Sequence, residues 1–142
     1  MPSGSIDDAI VANYQRYYTD AARDVVRAFN QGKIKLPAGM NWEPVLGARI
    51  DAIARARLRN VLAREKIAEG PAADVLVNRW LRDPSGSGVH RIPDVMLKDS
   101  HRILDGTIES KTATSPQVQI FVTFSGGYSV EIVRPDVAPF RR

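Results

Sequence analysis

Ile92-Pro93-Asp94-Val95-Met96-Leu97 and, downstream, Gly106-Thr107-Ile108-Glu109-Ser110-Lys111 decide how this chain is read. Each sets a carboxylate in a short apolar run, and each reads as part of a strand: Val89 to Leu97, then Arg102 to Lys111, with Asp105-Gly106 as the place where the second would break. A carboxylate in such a run costs free energy unless something compensates it, and a bound metal ion does so. Side chains alternate along a strand, so Glu109 and Lys111 point one way and Ser110 the other. If the two strands pair, Asp94 comes within reach of a cation shared with Glu109. Carboxylate oxygens hold a hard divalent cation, Mg²⁺ or Mn²⁺, and the backbone carbonyl of Ser110 is a further candidate ligand. Lys111 beside them orients or helps deprotonate an attacking water and stabilises charge on a phosphate. The expected chemistry is metal-assisted hydrolysis of a phosphodiester. Neither motif is specific alone, because Glu-x-Lys on a strand edge is commonly a solvated ion pair and Pro-Asp also marks turns. Their order, on consecutive strands with apolar flanks, is what gives the pair weight.

Outward from these segments the chain divides into a helical first half and a strand-bearing second half. Asp7 to Asn30 has helical spacing through Ile10, Tyr14, Tyr17, Ala21, Val25 and Phe29, and Asn30-Gln31-Gly32 ends it. Pro37 and Gly39 mark a loop. A second helix starts near Glu43-Pro44 and runs to about Glu69, before Gly70-Pro71, with Leu46, Ile50, Ile53, Leu58, Val61 and Leu62 as its apolar stripe. A third helix is expected from Ala72 to Leu81, and Asp83 to Gly88 reads as a flexible turn-rich loop within the domain. After the motif strands, Ser115-Pro116 has the form of an N-cap followed by a first-turn proline, and Gly126-Gly127 that of a helix end. Val118 to Phe124 is rich in β-formers, so the expected helix there rests on its caps. Tyr128 to Arg134 is a last strand. No repeat is visible.

The length of 142 residues suits one domain, 1–142, with a helical lead-in at 1–82 and a motif-bearing core at 89–134. Without Cys, a disulfide framework or thiolate metal site is excluded, and two His make a zinc site a poor fit. No apolar run reaches the roughly 20 residues of a membrane span. Met1-Pro2-Ser3-Gly4-Ser5 lacks the basic and apolar regions of a signal peptide, so none is expected. There is no Walker-type phosphate loop. A net charge of +4, carried mostly by Arg, is compatible with nucleic acid as partner and equally with a solvated basic surface.

Ile92-Pro93-Asp94 followed by Ile108-Glu109-Ser110-Lys111 resembles the PD-(D/E)xK nuclease superfamily over roughly Val89 to Arg134. The resemblance implies a restriction-endonuclease-like α/β (α+β) fold, a mixed central sheet flanked by helices, with Asp94, Glu109 and Lys111 as catalytic positions. It also implies a helix after the Glu-x-Lys strand carrying a polar residue toward the site, for which Gln117 and Gln119 are candidates. A further acidic residue on the preceding helix is implied too, with Glu65, Asp51 and Glu43 as candidates. One departure is Ser110, where an apolar residue is usual. Pro44 to Asp51 resembles, loosely, the lead-in of nuclease toxin domains at the C-termini of secreted bacterial polymorphic toxins and type VI effectors. That implies delivery into a target-cell cytoplasm and a cognate immunity protein.

The expected function is therefore a Mg²⁺-dependent endonuclease acting on DNA with little sequence specificity, in an antibacterial toxin. An RNase of the same fold, acting for example on transfer RNA, and a non-catalytic nucleic-acid-binding module are the alternatives. His90, Arg91 and Arg102 flank the motif strands as lesser candidates for phosphate contact. Tyr14, Tyr17 and Tyr18 read as core packing rather than as a base-stacking cluster.

Overall fold

The computed structural model describes residues 3–109 and 111–140. Helix α1 (Ser3–Asn30) buries Ile10, Tyr14, Tyr18, Ala21 and Val25, whose spacing of three and four lines one face. The buried ring of the tyrosine pair is Tyr18, and Tyr17 is only half-buried. Helix α2 (Trp42–Arg64) has Pro44 in its first turn and buries Leu46, Ile50, Ala54, Leu58 and Leu62, every fourth residue.

Helix α2 stops at Arg64 rather than at the expected Glu69. Lys66 takes a left-handed φ of 56°. Its N–H then donates to Ala63 O at 3.2 Å, and the next N–H, of Ile67, donates to Leu62 O at 2.9 Å. This pair of bonds is the Schellman ending of a helix. It turns Ile67 against the core.

The stretch expected as a third helix forms strands instead: β1 (Val75–Val77) and β2 (Leu81–Arg82). Val75-Leu76-Val77 has the β-branched composition that suits a pleated, half-buried surface, and a neighbouring strand is present to receive it. The expected strand from Val89 to Leu97 is broken into β3 (His90–Arg91) and β4 (Val95–Leu97), with Pro93, which lacks an N–H, in the gap. β2 and β3 form a separate antiparallel ribbon with Arg82 opposite His90. The loop joining them was expected to be flexible, yet it is built on Asp83. The Asp83 carboxylate accepts from Ser85 N–H at 2.9 Å and from Ser87 Oγ at 2.5 Å, while Asp83 N–H donates to Val89 O.

Strand β5 (Arg102–Gly106) stops before the Glu-x-Lys segment, correcting the expectation of a strand reaching Lys111. Helix α3 (Pro116–Ser125) begins after Ser115 and ends at Gly126 in the left-handed conformation, as the flanking residues predict. Strand β6 (Ser129–Val133) follows. The four long strands form one mixed sheet in the order β1-β4-β5-β6, antiparallel except for the β5–β6 pair, which α3 connects in parallel. Buried residues of α1, α2, β1, β4, Leu104 of β5 and Val133 of β6 share one hydrophobic cluster, so the helical and strand-bearing halves rest on a common core. Val118 and Phe121 of α3 are buried outside that cluster. Among the described residues no helix is long and apolar enough to cross a membrane.

Candidate functional site

The β4–β5 register sets Val95 opposite Leu104. One step further along the same register, Asp94 stands opposite Asp105. Like charges in facing positions on an antiparallel pair repel, and here both are buried, Asp94 with only 6% of its surface accessible and Asp105 with 4%. Each carboxylate is held by a cation. Arg55 of α2 donates from Nη1 to Asp94 Oδ1 at 2.9 Å, and the Gly106 N–H donates to Asp94 Oδ2 at 2.7 Å. Lys111 Nζ donates to Asp105 Oδ2 at 3.0 Å.

A third carboxylate joins from α2. Asp51 accepts a hydrogen bond of 2.6 Å from the Tyr18 hydroxyl. The Tyr18 ring lies directly over Gly106, where an added Cβ would meet ring carbons at 2.2 Å. Glycine at 106 therefore does two things. Its bare Cα lets α1 approach the sheet, and its N–H fixes Asp94. Tyr14, one turn before Tyr18, has its hydroxyl buried without a partner among the described residues.

An open cleft of about 240 Å³ lies beside this cluster, lined by Glu43 and Asp51 of α2, Tyr18, Gly106, Glu109 and Lys111. Asp51 and Glu43 are thus the two of the three expected helix acids that reach the cleft. Glu65 lies elsewhere, against the apolar residues at the start of α1. Glu109 is exposed on a bend beyond β5, not on a strand. Neither Asp94, which sits behind Gly106, nor Asp105 lines the cleft, and Asp94 and Glu109 are not the facing pair that the motif predicts. Asp105 takes that place. Ser110 lies outside the described residues. Arg134 secures the segment by donating to the backbone carbonyls of Glu109 and Lys111. Gln117 is exposed on the first turn of α3 and does not line the cleft, and Gln119 donates to Ala113 O at 2.7 Å. Neither expected glutamine reaches the site.

Three residues of the cluster lie beyond the sequence reading: Asp105, Arg55 and Tyr18, the last of which reads as core packing. Asp105 meets the same criterion that singled out Asp94, a carboxylate inside an apolar run, here Ile103-Leu104-Asp105. Arg55 carries no comparable signal, since one arginine among several on α2 looks like a solvated face.

Burial raises the proton affinity of all three acids. Burial, then the charge of Asp51, pushes the Asp94 carboxyl up to about 7, against the pull of the Gly106 N–H and Arg55. Asp105 is raised by burial and drawn back by Lys111. Asp51 is raised by burial, drawn back by the Tyr18 hydrogen bond and Arg55, and raised further by Asp105. Three acids that repel one another are compensated by two cations. Among the described residues no three His, Asp or Glu side chains gather at metal-binding spacing. The donor set, all carboxylate and phenolic oxygen with an orphaned Tyr14 hydroxyl nearby, nevertheless has the chemistry of a hard-cation site.

Comparison of the chain with protein-family models, with curated proteins and with solved structures finds no match.

Proposed function

We propose that this chain is a metal-dependent nuclease that hydrolyses phosphodiester bonds of DNA, with the restriction-endonuclease-like fold and a PD-(D/E)xK-type site. The observation that carries the reading is the Lys111 ammonium 3.0 Å from buried Asp105, which stands opposite Asp94 at the end of the β4–β5 pair and beside an open cleft. Support for the fold comes from the antiparallel run β1-β4-β5, followed by α3 and a fourth strand parallel to β5.

Asp51 and Glu109, which line the cleft, would hold the divalent cation, with Asp105 and Asp94 behind them. A bound Mg²⁺ supplies Lewis-acid activation of water and neutralises charge on the phosphate. Arg55 and the Gly106 N–H keep the Asp94 carboxylate in place. Lys111, anchored by Asp105 and by the Arg134 clamp on its backbone, would present its ammonium to the phosphate or donate a hydrogen bond to the attacking water. The role as a delivered antibacterial toxin with a cognate immunity protein is supported by the resemblance of residues 44–51 alone.

Incubation with supercoiled plasmid and with total RNA, in Mg²⁺ and in EDTA, tests the reading. Mg²⁺-dependent loss of plasmid that Lys111→Ala abolishes supports it. Loss of RNA alone moves the substrate to RNA. Intact substrates in Mg²⁺ and in Mn²⁺, with the protein folded and free of bound inhibitor, reject it in favour of a binding module.

A further inference from the structure

The β2–β3 ribbon carries a second chemical feature that the cleft does not use. Trp80, one of the largest apolar side chains of the molecule, is 57% exposed. Its ring stacks on His90 with centroids 4.0 Å apart and planes 11° from parallel. The Arg82 guanidinium carbon lies 5.4 Å from the Trp80 ring centroid. Trp80 immediately precedes β2, two residues before Arg82, and the register sets Arg82 opposite His90. These three side chains, with Asp83, Gly86 and Gly88, line a shallow hollow of about 180 Å³.

The simplest role for a cross-strand aromatic pair is to stabilise the ribbon. Other contacts already hold it. The Asp83 carboxylate and backbone close the loop end. At the base, Glu69 accepts from both Arg79 and the Val77 N–H. Exposing most of an indole is not needed for that purpose. A flat π-surface beside a guanidinium, on a preorganised arm, is the combination that takes an unpaired base on the ring and its phosphate on the cation. The Asp83 charge is turned into its own loop. Arg91, at the end of the ribbon, is three residues from Asp94, a reach of at most about 10 Å along the chain.

We propose that Trp80, His90 and Arg82 form a stacking platform for an unpaired nucleotide. For its use in positioning a strand toward the cleft, this rests on the nuclease reading. The platform would make the protein favour single-stranded or locally melted nucleic acid.

The test is binding without turnover. Lys111→Ala protein in EDTA is titrated with a fluorescein-labelled single-stranded oligodeoxynucleotide and with the duplex of the same length, reading anisotropy and tryptophan emission. Tighter binding of the single strand is expected, with quenched emission. Trp80→Leu should weaken single-strand binding about tenfold while Trp80→Phe retains it, since each stacked base contributes on that scale. Arg82→Gln should weaken binding and reduce the salt slope by about one. Thermal melting checks the fold of each variant, and if Trp80→Leu is unfolded the Phe and Gln variants decide. Equal binding by folded Trp80→Leu, preference for duplex, or equal capture of poly-glutamate would overturn the platform. Cleavage by the wild type with Trp80-independent binding rejects the platform and spares the nuclease. Trp80-dependent binding without cleavage does the reverse.

Discussion

The carboxylates at the cleft and those around the ribbon obey opposite electrostatics. At the ribbon, hydrogen bonds from Ser87 and Ser85 hold Asp83 below the usual carboxylate range, and the Arg79 hydrogen bonds do the same for Glu69. Around the cleft, burial holds Asp51, Asp94 and Asp105 above it, and a neighbouring carboxylate adds to the rise at Asp51 and Asp94. Acids of the first kind stabilise the fold they sit in. Acids of the second kind oppose it, which is the arrangement found where a site is kept ready for a charged ligand.

The largest expected effect breaks the comparison if it fails. Asp105→Asn should lower nuclease activity by at least about a hundredfold, whereas Asp83→Ala should leave kcat/KM within about threefold, both measured on plasmid in Mg²⁺. Glu109→Gln sharpens it. A loss as large as that of Asp105→Asn would make Glu109 an equal partner at the cation, and a loss under about tenfold would leave Asp105 as the second motif acid. Next in size is Gly106→Ala. The added methyl drives into the Tyr18 ring and should destabilise by about 1–3 kcal/mol or more, read as a lower midpoint in urea. It should also reduce cleavage, because the Asp94 and Asp51 contacts meet at this residue.

Charge relief gives a smaller effect of opposite sign. Asp51→Asn keeps an acceptor for the Tyr18 hydroxyl and removes one repelling charge. It should raise the melting temperature of metal-free protein at pH 8, by roughly the 2–4 °C that a 1 kcal/mol change produces in a chain of this size, while abolishing activity. The pH dependence follows in sign. Groups whose folded pKa is raised contribute stability that is fully present below about pH 4 and is lost as pH rises through the folded pKa. Metal-free wild type should therefore melt lower at pH 8 than at pH 5. Asp74, pushed up to about 6 by burial and by its contact with Asp7, adds to the loss in the same window. Asp51→Asn should blunt the fall without removing it. Asp83→Ala should not change it, because a lowered pKa places that group's contribution above about pH 4, to be lost only in stronger acid. An equal slope in wild type and Asp51→Asn would contradict the crowding described for the cleft.

How much of this was legible varied with whether the deciding interaction was local. Helices α2 and α3 end with the same pair of hydrogen bonds. Gly126 announces its left-handed turn, since glycine adopts it freely. Lys66 does not, so the sequence signals at Gly70-Pro71 put the end of α2 later than Arg64. Strand β1 departs from the expected helix because Val75 and Val77 owe their conformation to their β4 partners Leu97 and Val95, and short apolar runs do not distinguish the two. At the site, Asp94 and Lys111 were legible from spacing in apolar flanks. Asp105 is legible by the same rule, while the Glu-x-Lys pattern points to Glu109 as the second acid. Arg55 and Tyr18 enter only through α2 and α1 packing on the sheet, information that spacing along one segment does not contain.

The most direct test of the central claim is cation binding itself, measured by titrating Mn²⁺ into metal-free protein at pH 6 and pH 8 and following free Mn²⁺ by electron paramagnetic resonance. The account predicts saturable binding to wild type that tightens from pH 6 to pH 8, as Asp94 and its neighbours give up protons, and that is lost in both Asp51→Asn and Asp105→Asn. Binding that is absent at both pH values, or unchanged in the two variants, would contradict the assignment of these acids to a metal site.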